Sequence, residues 1–318
     1  MRLAQRFSLQ RFLRGEDAAA GPITLRQRRV FILPTRQGLF FGGLLLTMLL
    51  GAVNYNNSLG FTLTFLLASL CLVAMLHTYR NLLHLRVSVA HIAPVFCGDT
   101  AQVPVILDNP GTPPRYALQV GFPHQARHAS DVPAGAWTRL TLPLPCQRRG
   151  RQPLPRITLR SAFPLGVFQA WAHVNLDDTL LVYPQPAAPR EMPRDARMQP
   201  DLGGDRGQGS DDFAGLRGYH PGDSLRHVHW KAAARAQGLF TKQFGGDRAE
   251  ELWLDWESLA GMETEARLSL LTRWVLDAEA AQFSYGLRLP GKQIPLGHGA
   301  AHRHHCLQML ALFPGDAA

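Results

Sequence analysis

The sequence predicts a membrane helical hairpin joined to an all-β sandwich domain and a small α/β domain. Three observations predict it. Residues 37–79 contain no Asp, Glu, Lys or Arg and are bracketed by Arg36 and Arg80. Residues 85–183 alternate apolar and polar side chains in short runs separated by Gly, Pro, Asn and Asp. From Leu239 onward, apolar runs alternate with helix-length amphipathic patterns.

The uncharged stretch is about twice the roughly 20 residues that one helix needs to cross a bilayer. Its middle is polar, Asn54-Tyr55-Asn56-Asn57-Ser58, so two spans meet at a tight turn. The spans are expected at 38–53 and 59–76, both helical because a backbone in lipid must satisfy its own hydrogen bonds. Ile32 and Leu33 are available to lengthen the short first span. Gly42 and Gly43 remove side chains from one helix face and are expected to let the two helices approach. A secretory signal peptide fits poorly, because the apolar stretch begins late and is too long.

Eight arginines precede the first span and Arg80 and Arg86 follow the second, whereas the connecting turn has no Lys or Arg. By the positive-inside rule both ends are expected in the cytoplasm and the turn outside, in a multi-pass protein of the cell inner membrane. The basic arm, residues 1–37, is expected to be drawn to anionic headgroups of the lipid bilayer. This accounts for much of the formal charge of +9 without nucleic acid, which would require basic residues interleaved with aromatics on a soluble surface. The four cysteines, Cys71, Cys97, Cys146 and Cys306, form no CxxC pair. Neither a zinc ribbon nor a redox motif is indicated, and scattered thiols suit a reducing compartment.

The organisation expected is therefore a basic arm (1–37), a two-helix hairpin (38–79), a β-sandwich domain (85–183), a connector (184–212) and a C-terminal part (213–318). Strands are expected at 85–89, 101–107, 137–144, 157–160 and 180–183, spaced as in a sandwich. The connector is rich in Pro, Gly, Arg and Asp and cannot bury much apolar surface, so a flexible connector or an extended strap is expected. A phosphate-binding reading of its Gly203-Gly204-Asp205-Arg206-Gly207-Gln208-Gly209 run fits poorly, because no strand precedes it and no GK[ST] follows. The C-terminal part is expected to hold strands at 239–244, 251–256 and 283–289 and helices at 262–282 and 301–313. This alternation favours an open sheet with helices packed on it.

One segment is dense in polar and aromatic residues. Arg217, Tyr219, Pro221-Gly222-Asp223, Arg226, His229-Trp230-Lys231 and Ala234-Arg235 follow one another within 19 residues. Pro-Gly-Asp is turn chemistry, and Asp223 is the natural partner of Arg226 or Arg235. On these residues the chain resembles the bacterial family called "domain of unknown function 58". Further resemblance lies in Asn57, the turn 163–168, Tyr183-Pro184 and Tyr285-Gly286-Leu287-Arg288-Leu289-Pro290. The resemblance implies two membrane helices, a β domain and an α/β domain similar to a von Willebrand A domain. It also implies a membrane-bound partner of MoxR-type AAA ATPases, with no established reaction and no cofactor.

Three chemical readings compete with a binding role. His220, His227 and His229 beside Asp223 would suit a membrane-bound metal-dependent hydrolase, although no HExxH spacing is present. His302 with His305 or Cys306 would share a helix face, as metal ligands can, but no carboxylate or second cysteine completes a tetrahedral site. Asp255 ends an apolar strand where a von Willebrand A domain would place Asp-x-Ser-x-Ser. Glu257 and Leu259 replace the two serines, so Asp255 is a weak metal candidate and is expected to cap the following loop or pair with a motif arginine. The sequence thus predicts a non-catalytic adaptor or scaffold. The motif from Arg217 to Arg235 would serve as, or brace, a surface for a MoxR-type ATPase or other membrane proteins.

Overall fold

The computed structural model describes residues 18–192, 213–218, 240–244 and 251–314. They fall into two units, Met1–Gln185 and Pro186–Ala318.

The first unit begins with two strands, β1 (Ile23–Thr24) and β2 (Val30–Pro34), before any membrane-length helix. The helices α1 (Arg36–Asn54) and α2 (Ser58–Leu82) follow. Then come β3 (Arg86–Val89), β4 (Val95–Phe96), β5 (Thr100–Asp108), β6 (Arg115–Gly121), β7 (His128–Val132) and β8 (Trp137–Pro145), with β9 (Gly150–Pro153), β10 (Ile157–Ser161), β11 (Phe168–Val174) and β12 (Thr179–Tyr183) closing the unit. The strands form sheets ordered β1-β3-β5-β8, β2-β11-β10-β6-β7 and β4-β12-β9. Inward residues of the first two sheets, among them Val87, Val105, Leu107, Leu118, Leu159 and Ala172, share one core with Leu82 and Leu85. Alternation along each strand sends these side chains to one face. The helical hairpin is thus inserted into a β domain whose first two strands precede it. Ile32 and Leu33 do not extend the first span: they pair with Ala170 and Gln169 of β11.

α1 and α2 are long and apolar enough to cross a membrane, and only 6% and 11% of their apolar windows are buried by the protein. Phe40, Leu46, Leu50, Leu66 and Leu72 are all more than half exposed, which a core helix of a soluble protein would not tolerate. Asn57 starts α2 by accepting from the backbone N–H of Leu59 and Gly60 at 3.0 and 3.2 Å, an N-cap placed in the turn between the helices. The close approach of the helices is not at Gly42 and Gly43, because a Cβ on either would meet nothing within 4 Å. It is at Gly60, where a Cβ would lie 3.1 Å from Ala52 Cβ. The expectation for Gly42 and Gly43 is corrected accordingly: they are on a face of α1 that turns away from α2.

In the second unit β13 (Phe213–Gly218) pairs antiparallel with β14 (Phe240–Phe244). β15 (Glu251–Asp255), α3 (Thr264–Ala280), β16 (Ser284–Leu289), β17 (Lys292–Gly297) and α4 (Ala300–Ala311) follow. β15 runs parallel to β16 and β17 antiparallel to it, in the order β15-β16-β17. The α3 face carrying Leu268, Leu271, Val275 and Ala278 is buried, as its spacing demands.

Candidate functional site

Arg217 is on β13, in register with Thr241 of β14. Tyr219, Pro221, Gly222, Asp223, Arg226, His229, Trp230, Lys231 and Arg235 lie outside the described residues, as do His220 and His227. The ladder brings Gly218 opposite Phe240.

Asp255 ends β15. Its carboxylate accepts from the backbone N–H of Glu257 at 3.0 Å, and the Ser258 hydroxyl donates to its carbonyl at 2.6 Å. Its side chain therefore caps the 3-10 turn Glu257–Leu259. Among the described residues no three His, Cys, Asp or Glu side chains converge as a metal site.

At the histidine-rich helix start, His302 is bound to the sheet and to Cys306. His302 Nε2 lies 2.7 Å from the Tyr285 carbonyl and 3.6 Å from Cys306 Sγ. A carbonyl only accepts, so Nε2 carries the proton. The Tyr285 hydroxyl donates to Glu279 Oε2 at 3.1 Å, and the same oxygen accepts from the Gly299 N–H at 3.2 Å. A Cβ on Gly297 would come within 2.7 Å of His302 Nδ1, so only glycine leaves room for the ring. Burial raises the Tyr285 phenol and pushes the Cys306 thiol up to about 12. This network fastens α3, β16 and α4 together. His304 and His305 are exposed.

Neighbouring residues of the same strand have packing roles. Gly286 is opposite Trp253, and a Cβ there would sit 2.6 Å from the indole. The Arg288 guanidinium lies 4.1 Å from the centre of that indole, a cation–π contact.

A second polar site is in the first unit, where helices meet sandwich, and the sequence reading passed over most of it. Buried Arg115 donates through Nη1 to the Arg80 carbonyl, through Nη2 to the Leu83 carbonyl at 3.0 Å and through Nε to Asn109 Oδ1 at 3.3 Å. Burial lowers its pKa, and the charge of Arg80 adds to the effect. The negative end of the α2 dipole and three oxygens hold the charge in place of a carboxylate. Asn81 donates to the Tyr116 carbonyl at 2.8 Å and to Ser161 Oγ at 2.6 Å, and accepts from the Tyr116 N–H at 3.1 Å.

The turn at 163–168 receives both helices. Near the end of α2, Thr78 Oγ1 lies 2.8 Å from the Phe163 carbonyl, to which it donates, and 2.9 Å from that of Ala74. At the start of α1, Thr35 Oγ1 donates to the Gly166 carbonyl at 2.6 Å and accepts from the Gly38 N–H at 3.1 Å. The Thr35 N–H donates to the Val167 carbonyl at 2.9 Å. A Cβ on Gly38 would fall 2.0 Å from that carbonyl oxygen. The polar Asn81 in the last turn of an otherwise apolar helix and the Phe-Pro-Leu-Gly-Val-Phe turn were the available signals.

The fold and these sites define a two-helix, β-rich protein with a small α/β unit. Residues 215–313 match the family described as "Protein of unknown function DUF58". The chain is also 28% identical over 176 residues to "Uncharacterized protein YeaD" of Bacillus subtilis (strain 168), a match covering 54% of this chain and 44% of that protein. The match thus spans less than half the length of that relative. No solved structure matches the chain, and a von Willebrand A fold is not established by the three strands and two helices of β15 to α4.

Proposed function

We propose that the chain is a non-enzymatic scaffold anchored in the cell inner membrane by α1 and α2, with both ends in the cytoplasm. One observation carries this reading. The helix pair is clamped to the β domain at both of its ends, by Thr35 at the start of α1 and by Thr78, Asn81 and Arg115 at the end of α2. Such a junction fixes the orientation of a β domain relative to the bilayer, which a scaffold needs and a flexible tether would not supply. The arginines flanking the hairpin support the cytoplasmic orientation.

The partner class is the one implied by the family resemblance, a MoxR-type AAA ATPase, with other membrane proteins as further candidates. The contact surface proposed is the motif from Arg217 to Arg235, because Tyr, Trp and Arg dominate interface energetics. The test is crosslinking in intact cells and capture with the full chain, comparing wild type with Arg226→Ala and Trp230→Ala. Loss of the ATPase from both variants, with unfolding unchanged, supports the surface. Retention of every partner by folded variants removes it. A reporter at the C-terminal end that is active only outside the cell would overturn the orientation.

A further inference from the structure

We infer that the groove lined by Arg26, Arg28 and Arg29 beside the end of α2 binds the phosphate of an anionic phospholipid headgroup. The inference rests on the membrane-anchored reading above and assigns a site to one lipid class. The groove has a volume of about 440 Å³ and is lined by the three arginines together with apolar residues including Ala20, Pro22 and Ile23. This is within the roughly 300–1,000 Å³ usual for small-molecule sites.

Its position follows from the helix. The 25 residues of α2 extend about 37 Å at 1.5 Å each, about 7 Å more than a hydrocarbon core of about 30 Å. The surplus, about the last five residues, enters the headgroup layer. There the Tyr79 hydroxyl donates to the Gln27 carbonyl at 3.4 Å, the His84 N–H to the Leu25 carbonyl at 2.8 Å and the Leu25 N–H to the Leu85 carbonyl at 2.8 Å. These bonds hold the turn Gln27–Arg29 against the helix end, at the depth of lipid phosphates. Tyrosine at this depth is itself characteristic of the interface.

The charge fits the same ligand. No Asp or Glu occurs in residues 18–98, and none of the lining residues is acidic. The Asp177 backbone N–H reaches the Ala19 carbonyl at 3.1 Å, but Asp177 does not line the groove. Arg26 and Arg28 are exposed and Arg29 is partly buried. Guanidinium forks match phosphate oxygens in geometry, and the apolar lining suits the glycerol and first acyl carbons.

The test uses the full chain in nanodiscs of equal phosphatidylglycerol and phosphatidylcholine, with lipid retained after release read by native mass spectrometry. Wild type should retain phosphatidylglycerol preferentially. At about fivefold per arginine near an anionic surface, Arg26→Ala with Arg28→Ala should cut the preference at least about tenfold. Both side chains are exposed, so the double variant keeps its fold. Arg148→Ala with Arg151→Ala, on and beside β9, should leave the preference unchanged. Equal retention of the two lipids by wild type, or no loss in the first variant, overturns the site. Inorganic phosphate binding as well in pure phosphatidylcholine discs would reassign the groove to a free anion and also overturn it. Alkaline extraction of native membranes separates the two readings. A chain that stays in the pellet without lipid preference sinks this site alone, and a chain that is released sinks the anchor.

Discussion

The guanidinium of Arg115, on β6, donates to the main-chain carbonyl of Leu83 at 3.0 Å, at the point where α2 ends. One side chain of the β domain thereby completes the hydrogen bonding of a membrane-length helix. The last carbonyls of any helix lack intrahelical donors, and here the donors come from a distant strand.

Arg115→Met should therefore lower stability by about 2–4 kcal/mol, since it removes the Arg115 donors from the Arg80 and Leu83 carbonyls and leaves Asn109 Oδ1 with only the Gly111 N–H at 3.2 Å. Arg115→Lys should recover less than half of this, because an ammonium cannot serve three acceptors in the plane of a guanidinium. Urea unfolding of the purified chain in detergent, followed by circular dichroism, measures both. Unchanged midpoints would show that Arg115 does not hold the junction.

Gly38→Ala should separate α1 from the turn at 163–168. The added methyl would lie 2.0 Å from the Val167 carbonyl oxygen, a distance that only backbone movement can relieve. A loss of about 3 kcal/mol or more is expected, together with faster proteolysis near Val167. Gly43→Ala is the internal control. Nothing lies within 4 Å of its added methyl, and helix propensity alone predicts a gain of about 0.5–1 kcal/mol.

How much of this was legible depends on where each signal came from. The helices were readable because an uncharged stretch of that length has one physical solution. Strands β5 and β8 were readable because their large apolar residues alternate, and β12 because Leu180-Leu181-Val182-Tyr183 is a short apolar run of strand length. β11 was missed because its inward residues are small, Ala170 and Ala172, while Trp171 faces outward beside Phe31 at 5.9 Å, which inverts the usual pattern. β2 was hidden by lying next to the spans, where Val30-Phe31-Ile32-Leu33 reads as more membrane. β17 carries Pro295, which is tolerated because it is an edge strand. Asp255 was legible as a cap because Glu257 and Leu259 cannot serve as hydroxyl ligands. Arg115 was not legible, because nothing local announces that an arginine will meet carbonyls 32 and 35 positions away.

His173 should make the first unit acid-sensitive. Burial, then the charges of Arg156 and Arg160, depress its pKa from 6.5 to about 4. The folded state thus holds a neutral imidazole, 3.2 Å from Thr158 Oγ1, over a range where the unfolded chain is protonated. Stability is complete above pH 6.5 and falls as pH drops from 6.5 to 4, below which both states carry the proton. Because the ring is only half-buried, about 1–2 kcal/mol is expected rather than the full value. His173→Gln should flatten the unfolding midpoint across that window relative to wild type. A parallel pH profile in both proteins would remove His173 as the cause.

Cys306 should report on the opening of α4. Its thiol is fully buried, 3.6 Å from His302 Nε2, and burial followed by the charge of Glu279 pushes its pKa up to about 12. At pH 8 the thiolate fraction is then on the order of 1 in 10,000, so alkylation has to wait for the helix to detach. Cys97 is only partly buried and should label first. His302→Ala removes the bond to the Tyr285 carbonyl at 2.7 Å, worth about 1–2 kcal/mol, and should speed Cys306 alkylation about 5- to 30-fold by lowering the cost of local opening. Gln at position 279 in place of Glu279 keeps an acceptor for the Tyr285 hydroxyl and should raise the rate less. Peptide mapping after timed iodoacetamide exposure distinguishes the sites. If Cys306 reacted as fast as Cys97 in the wild-type chain, the network of Glu279, Tyr285 and His302 would not be what fastens α4 to the sheet.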